Sequence, residues 1–88
     1  MNNRIDILKG MLEAKPEDSF ARYGLAMEYM KTGRHADAVE EFRAIIARDP
    51  GYAYAYYHGG QALEKMGRLD EAKAIYGRGL EAAKDAHA

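Results

Sequence analysis

Pro16 and Pro50 stand 34 residues apart, and sliding the chain by that interval brings far more than prolines into register. Ala21 falls on Ala55, Tyr23 on Tyr57, Lys31 on Lys65, Gly33-Arg34 on Gly67-Arg68, and Ala38 on Ala72. Phe20 and Tyr54, Asp37 and Glu71, Phe42 and Tyr76, and Ile46 and Leu80 are near-matches at the same spacing. A fixed period of this length marks a small unit that cannot bury its apolar face alone and stacks on a copy of itself.

Each unit reads as two helices. Ser19 is placed to cap a helix running to about Thr32, and Gly33 supplies the residue that tolerates positive φ at its end. A second helix runs from about Ala36 to Arg48 and is stopped by Pro50. In the next unit, residues 53–66 form the first helix and Gly67 ends it; Asp70 then opens a helix to about Ala83. Ile5, Leu8, Met11 and Leu12 match Val39, Phe42, Ile45 and Ile46, so residues 3–15 read as the second helix of an incomplete leading unit. The chain is thus predicted to be all-α, one domain over 1–88, with five antiparallel helices. They divide into a half repeat (3–15) and two whole ones (19–52 and 53–86).

The run GYAYAYYHGG at residues 51–60 tests that reading. Tyr52, Tyr54 and Tyr56 alternate as on a half-buried strand, whereas Tyr54, Tyr57 and Gln61 fall on one helical face. A strand here would break the repeat, so Tyr54, Tyr56 and Tyr57 are read as helical and Tyr52 as part of the entry turn. The helix propensity given up by tyrosine, a few tenths of a kcal/mol, is outweighed by burying its ring.

With this punctuation the chain resembles the tetratricopeptide repeat (TPR) family. Leu25-Ala26, Tyr29, Ala38, Phe42 and Pro50 fill most of that family's pattern in the first whole repeat, and Tyr56, Gly60, Leu63, Ala72 and Tyr76 do so in the second. Arg22 departs from it, standing where a bulky aromatic is usual, with a packing deficit expected there. So does Gly59, where Leu is usual, and so does Ile45, where a small residue is usual. Gly77 and Gly79 lie inside the last helix at a cost of roughly 1 kcal/mol each relative to alanine. The resemblance implies a right-handed superhelix whose first helices line a concave groove.

It also implies a binding surface. Leu25, Ala26 and Tyr29 form one face of the first helix, and Phe20, Tyr23, Met27 and Met30 the other. By resemblance the second face points into the groove, joined by Tyr54, Tyr57, His58 and Gln61. Methionine adapts to varied apolar partners, and tyrosine joins a flat apolar body to a polar tip. Such a groove fits an amphipathic helix or an extended peptide with apolar anchors. The chaperone carboxylate clamp of the family is not expected, because its basic and asparagine positions hold Tyr23, Met27 and His58. The last helix offers Ile75, Tyr76 and Leu80 as an open edge, and a homodimer formed there is the competing expectation.

Other chemistry finds little support. The three histidines, His35, His58 and His87, lack metal-ligand spacing, and no metal or cofactor is expected. Ser19 is the sole serine and no nucleophile sits beside a base, so the chain is read as a non-enzyme. Thirteen basic residues face fourteen acidic ones, without the basic excess that nucleic acid demands. No apolar run approaches the length of a membrane span. No cysteine is present, which agrees with the reducing cytoplasm, where the chain is expected to work.

Overall fold

In the computed structural model the described residues are 3–87, with side chains described to residue 85. Residues 1, 2 and 88 of the domain drawn above, and the side chain of His87, lie outside them. Five helices account for most of the chain: α1 (Asn3–Ala14), α2 (Ser19–Lys31), α3 (His35–Arg48), α4 (Ala53–Lys65) and α5 (Leu69–His87). Among the described residues there is no strand. Tyr54, Tyr56 and Tyr57 lie on α4, and Tyr52 is the residue just before it.

The helix ends follow from local chemistry. Asp18, not Ser19, caps α2: its Oδ1 accepts the backbone N–H of Ala21 at 3.0 Å. Either residue type serves as a cap, and Ser19 is left in the first helical turn. Both α2 and α4 close with the same motif. Gly33 (φ 80°) and Gly67 (φ 75°) take the left-handed conformation. The N–H groups of Gly33 and Arg34 donate to the carbonyls of Met30 and Tyr29, and those of Gly67 and Arg68 to Glu64 and Leu63. This pair of bonds satisfies carbonyls that a helix end otherwise leaves open. α3 begins at His35 rather than Ala36, so His35 opens the helix instead of lying in the turn. α5 runs through residue 84, the position equivalent to Pro50, and so passes the point where α3 stops.

Successive helices pack pairwise, and α2 also touches α4, whereas the backbones of α1 and α3, and of α3 and α5, stay apart among the described residues; α3 and α5 are linked by side chains, Arg43 to Glu71 at 3.0 Å. The stack therefore curls with α2 and α4 inside and α1, α3 and α5 outside, in a slab of 39 × 29 × 14 Å. α3 is at the centre. It buries Ala38, Val39, Phe42, Ile45 and Ile46 between α2 and α4. Truncating a fully buried ring such as Phe42 costs about 3–5 kcal/mol in comparable cores.

Two departures from the family pattern have physical explanations. A Cβ on Gly79 would lie 2.7 Å from Tyr56 Cβ, so glycine there lets α5 approach the Tyr56 ring. The equivalent positions of the first repeat hold Arg22 and Ile45, with Ile45 fully buried. Bulk that the second repeat places on its first helix thus sits on the second helix of the first repeat. Arg22 also keeps a bond made by Tyr56. The Tyr56 hydroxyl donates to the carbonyl of Pro50 at 2.6 Å, and the Arg22 guanidinium donates to the carbonyl of Pro16 at 3.1 Å. It further pairs with Glu41 of α3 at 2.7 Å. A 420 Å³ cleft lies beside Arg22, Ala44, Ala47 and Arg48. The equivalent cleft in the second repeat, beside Tyr56, measures 760 Å³. The opening is therefore a property of the repeat, and Arg22 does not create it.

Gly59 lies between two neighbours: an added Cβ would fall 3.2 Å from Ile75 Cδ1 and 3.3 Å from Phe42 Cβ. Leucine, usual at this position, would require Ile75 and Phe42 to give way.

Candidate partner-binding surface

α2 and α4 bring Tyr23 and His58 together on the inner side of the curl, with ring centroids 5.9 Å apart. Tyr52 and Tyr54 lie 5.6 and 6.2 Å from Tyr23. Tyr57 meets His58 edge-on at 4.9 Å, while Tyr54 lies nearly parallel to it at 6.4 Å. Beneath them Phe42 of α3, fully buried, contacts both Tyr23 and His58. Tilted and edge-on rings at these distances are favourable beyond their area burial. The cluster therefore rests on the core and is not a loose surface feature.

Its polar atoms are also ordered. His58 Nδ1 lies 2.9 Å from Gln61 Oε1, which only accepts. With that oxygen as acceptor, Nδ1 is the donor of the bond, which fixes the orientation of the imidazole ring. Gln61 Nε2 in turn donates to the Tyr57 hydroxyl at 3.2 Å. The Tyr23 hydroxyl is pushed above its ordinary range, first by burial and then by Tyr52 and Tyr54. Burial likewise raises Tyr52, with the carboxylates of Asp49 and Asp18 adding to it. Both phenols are neutral at pH 7.

The eight residues singled out from the sequence are not equivalent. Phe20, Tyr54 and Tyr57 are exposed, by 79%, 66% and 54%. Tyr23, Met27, Met30, His58 and Gln61 are half-buried, the first three with their inner edges against the core. Tyr52 and Phe42 belong to the cluster and were not singled out. Tyr52 occupies the cap position of α4 without a side-chain cap bond, so its ring is free to pack on Tyr23. Its place in the alternating tyrosine run was the signal that pointed to it.

At the open edge, Ile75 is a correction. It is 5% exposed and belongs to the core, against Gly59 and Phe42. Residues five apart on a helix point roughly 140° away from each other, so Ile75 and Leu80 do not share a face. Leu80 is exposed. The Tyr76 ring lies over Gly60, in space that a Cβ there would need, and its hydroxyl bonds Glu64. With Ala53, Tyr56, Tyr57 and Gly79, these two residues line an open pocket of 300 Å³. Among the described residues no cluster of histidines and carboxylates is placed to hold a metal, and no helix is long and apolar enough to cross a membrane.

A tetratricopeptide repeat family model matches residues 29–88. The chain belongs to the tetratricopeptide repeat family. Among curated relatives, the tetratricopeptide repeat and J domain-containing co-chaperone DNJ1 of Cryptococcus neoformans is 35% identical over 65 residues, 74% of this chain. The corresponding co-chaperone of Fusarium oxysporum is 31% identical over 71 residues. This TPR chain spans only 12% and 14% of those proteins. Among solved structures, one of MamA superposes with a TM-score of 0.90 at 30% identity, covering 94% of this chain and 48% of MamA. A second MamA structure gives 0.87 at 31% identity, covering 91% of this chain and 44% of that one. The five-helix stack is therefore a TPR solenoid, and repeats of this family work chiefly as protein–protein interaction modules.

Proposed function

We propose that this chain holds a peptide or helix of a partner protein on the inner surface of α2 and α4. The observation that carries the reading is the Tyr23–His58 cluster: Tyr54 and Tyr57 are more than half exposed on a rigid base of Phe42. Large amphipathic rings held in place lose little freedom on binding, which is why they dominate contact surfaces. Phe20, Met27, Met30 and Gln61 extend the surface along α2 and α4. Relatives named as co-chaperones fit a module that binds other polypeptides, and the lack of cysteine suits work in the cytoplasm. Peptides selected from a displayed library, mapped by amide chemical shifts, test it. The expected result is perturbation centred on Tyr23, Tyr54, Tyr57 and His58, and at least a roughly 10-fold loss of affinity in Tyr54→Ala, the scale of a contact residue costing over 1 kcal/mol. Full affinity in that variant, with the fold intact, places the binding surface elsewhere.

A second reading is self-association at the end of the stack, favoured by exposed Leu80 beside the 300 Å³ apolar pocket. Sedimentation equilibrium decides between a monomer and a dimer; in the second case Leu80→Glu yields a folded monomer.

A further inference from the structure

Resting on the groove reading above, we infer that the Tyr23–Tyr54–Tyr57–His58 cluster is an anchor for an arginine side chain of the partner. The ring faces carry the negative part of the aromatic quadrupole, and a guanidinium stacks on such faces. Tyr54 and Tyr57, both exposed, present theirs beside the His58 imidazole. The His58 ring, held by the bond between Nδ1 and Gln61 and lying nearly parallel to Tyr54, adds a further flat surface on which a guanidinium can stack.

Charge agrees with this. Asp18, which caps α2, and Asp49, which ends α3, both act on the phenol of Tyr52 at the edge of the cluster. Among the described residues neither carboxylate takes part in an ion pair, although six pairs occur elsewhere. In a chain of nearly balanced charge, exposed aromatic rings and two carboxylates outside any ion pair meet at the Tyr52 end of the cluster. A flat cation satisfies both. An acidic anchor would meet the two carboxylates, and a purely aliphatic anchor would leave them unused. Lysine supplies the charge but not the planar, stackable group.

The test uses the whole chain and four capped tripeptides with arginine, lysine, leucine or glutamate between glycines, titrated by amide and tyrosine-ring NMR shifts. The expected result is saturable shifts at Tyr23, Tyr54, Tyr57 and His58 with the arginine peptide, at concentrations where the glutamate and leucine peptides give none. Tyr54→Leu, which removes a ring face and keeps apolar bulk, weakens arginine binding by roughly 2–5-fold, the range of an exposed cation–π contact. Asp18→Asn with Asp49→Asn weakens it and flattens its salt dependence; asparagine at residue 18 still caps α2. Arginine shifts confined to other carboxylates, or absent, overturn the inference. So does leucine binding at these rings as tightly as arginine, an outcome that leaves the peptide groove itself standing.

Discussion

At the scale of single residues, the exchange of bulk between Arg22/Ile45 and Tyr56/Gly79 is open to measurement. Arg22→Tyr restores the family aromatic but sets its ring against a helix carrying Ile45, and overpacking costs about 1–3 kcal/mol. Ile45→Ala alone costs about 2–5 kcal/mol through the cavity it leaves. In the double variant each change relieves the other, and urea unfolding is expected to show about 1 kcal/mol or more of favourable coupling. Simple additivity sinks the idea that bulk was exchanged. The two α5 glycines form a second pair. A Cβ at Gly77 meets nothing within 4 Å, whereas at Gly79 it collides with Tyr56. Gly77→Ala therefore stabilises the fold by up to about 1 kcal/mol, and Gly79→Ala destabilises it by about 1–3 kcal/mol. Read from sequence, both glycines were helix weaknesses alike. Propensity is local, while the approach of Tyr56 is a contact between helices that no windowed pattern contains.

At the scale of helices, α5 has a pH dependence of its own. Burial, followed by the hydrogen bond and charge of Glu64, pushes the Tyr76 hydroxyl up to about 12. The unfolded chain ionises this phenol near the ordinary 10.0. The neutral phenol is the form the fold favours, so its contribution is complete below pH 10 and disappears as pH climbs towards 12. Ultraviolet titration of tyrosinate is expected to show a late step that Tyr76→Phe removes; an unchanged curve refutes the assignment. Glu71 behaves in the opposite sense. Its bonds to Arg68 and Arg43 hold it below the ordinary 4.5, so the tie it makes between α3 and the start of α5 weakens on acidification below that value. The helices themselves were legible to within a few residues, because glycine, proline and apolar spacing act over a single turn. Hidden from that local view were the identity of the α2 cap, where Asp18 and Ser19 compete side by side, and the burial of Ile75, which depends on Gly59 across the interface.

At the scale of the molecule, the stack is nearly one-dimensional, each helix resting on its sequence neighbours. α3 is enclosed on two sides, whereas α1 packs on α2 alone and buries only Ile5 and Leu12 among its described residues. Native-state hydrogen exchange is therefore expected to be slowest in α3 and fastest in α1, with Arg4–Glu28 at 3.3 Å as a partial tie between α1 and α2. Equal protection in α1 and α3 would mean that the whole chain opens as one unit. The architecture followed from the repeat period, and so did the meeting of Tyr23 with Tyr54, Tyr57, His58 and Gln61 on α2 and α4. The cluster's closure did not, since Tyr52 joins it from a turn and Phe42 from below.

The hydrogen bond shared by Arg22 and Tyr56 bears on how such repeats diverge. In each repeat the fastening point is a main-chain oxygen, that of Pro16 or Pro50, which every residue carries regardless of its identity. A guanidinium and a phenol both reach that acceptor, so the fastening itself does not dictate which side chain makes it; packing against the facing helix does. A comparison that scores side-chain identity counts the change as a mismatch. The fastening itself is kept in both copies. The two copies within this chain thus agree in which carbonyl is occupied while differing in the residue that occupies it.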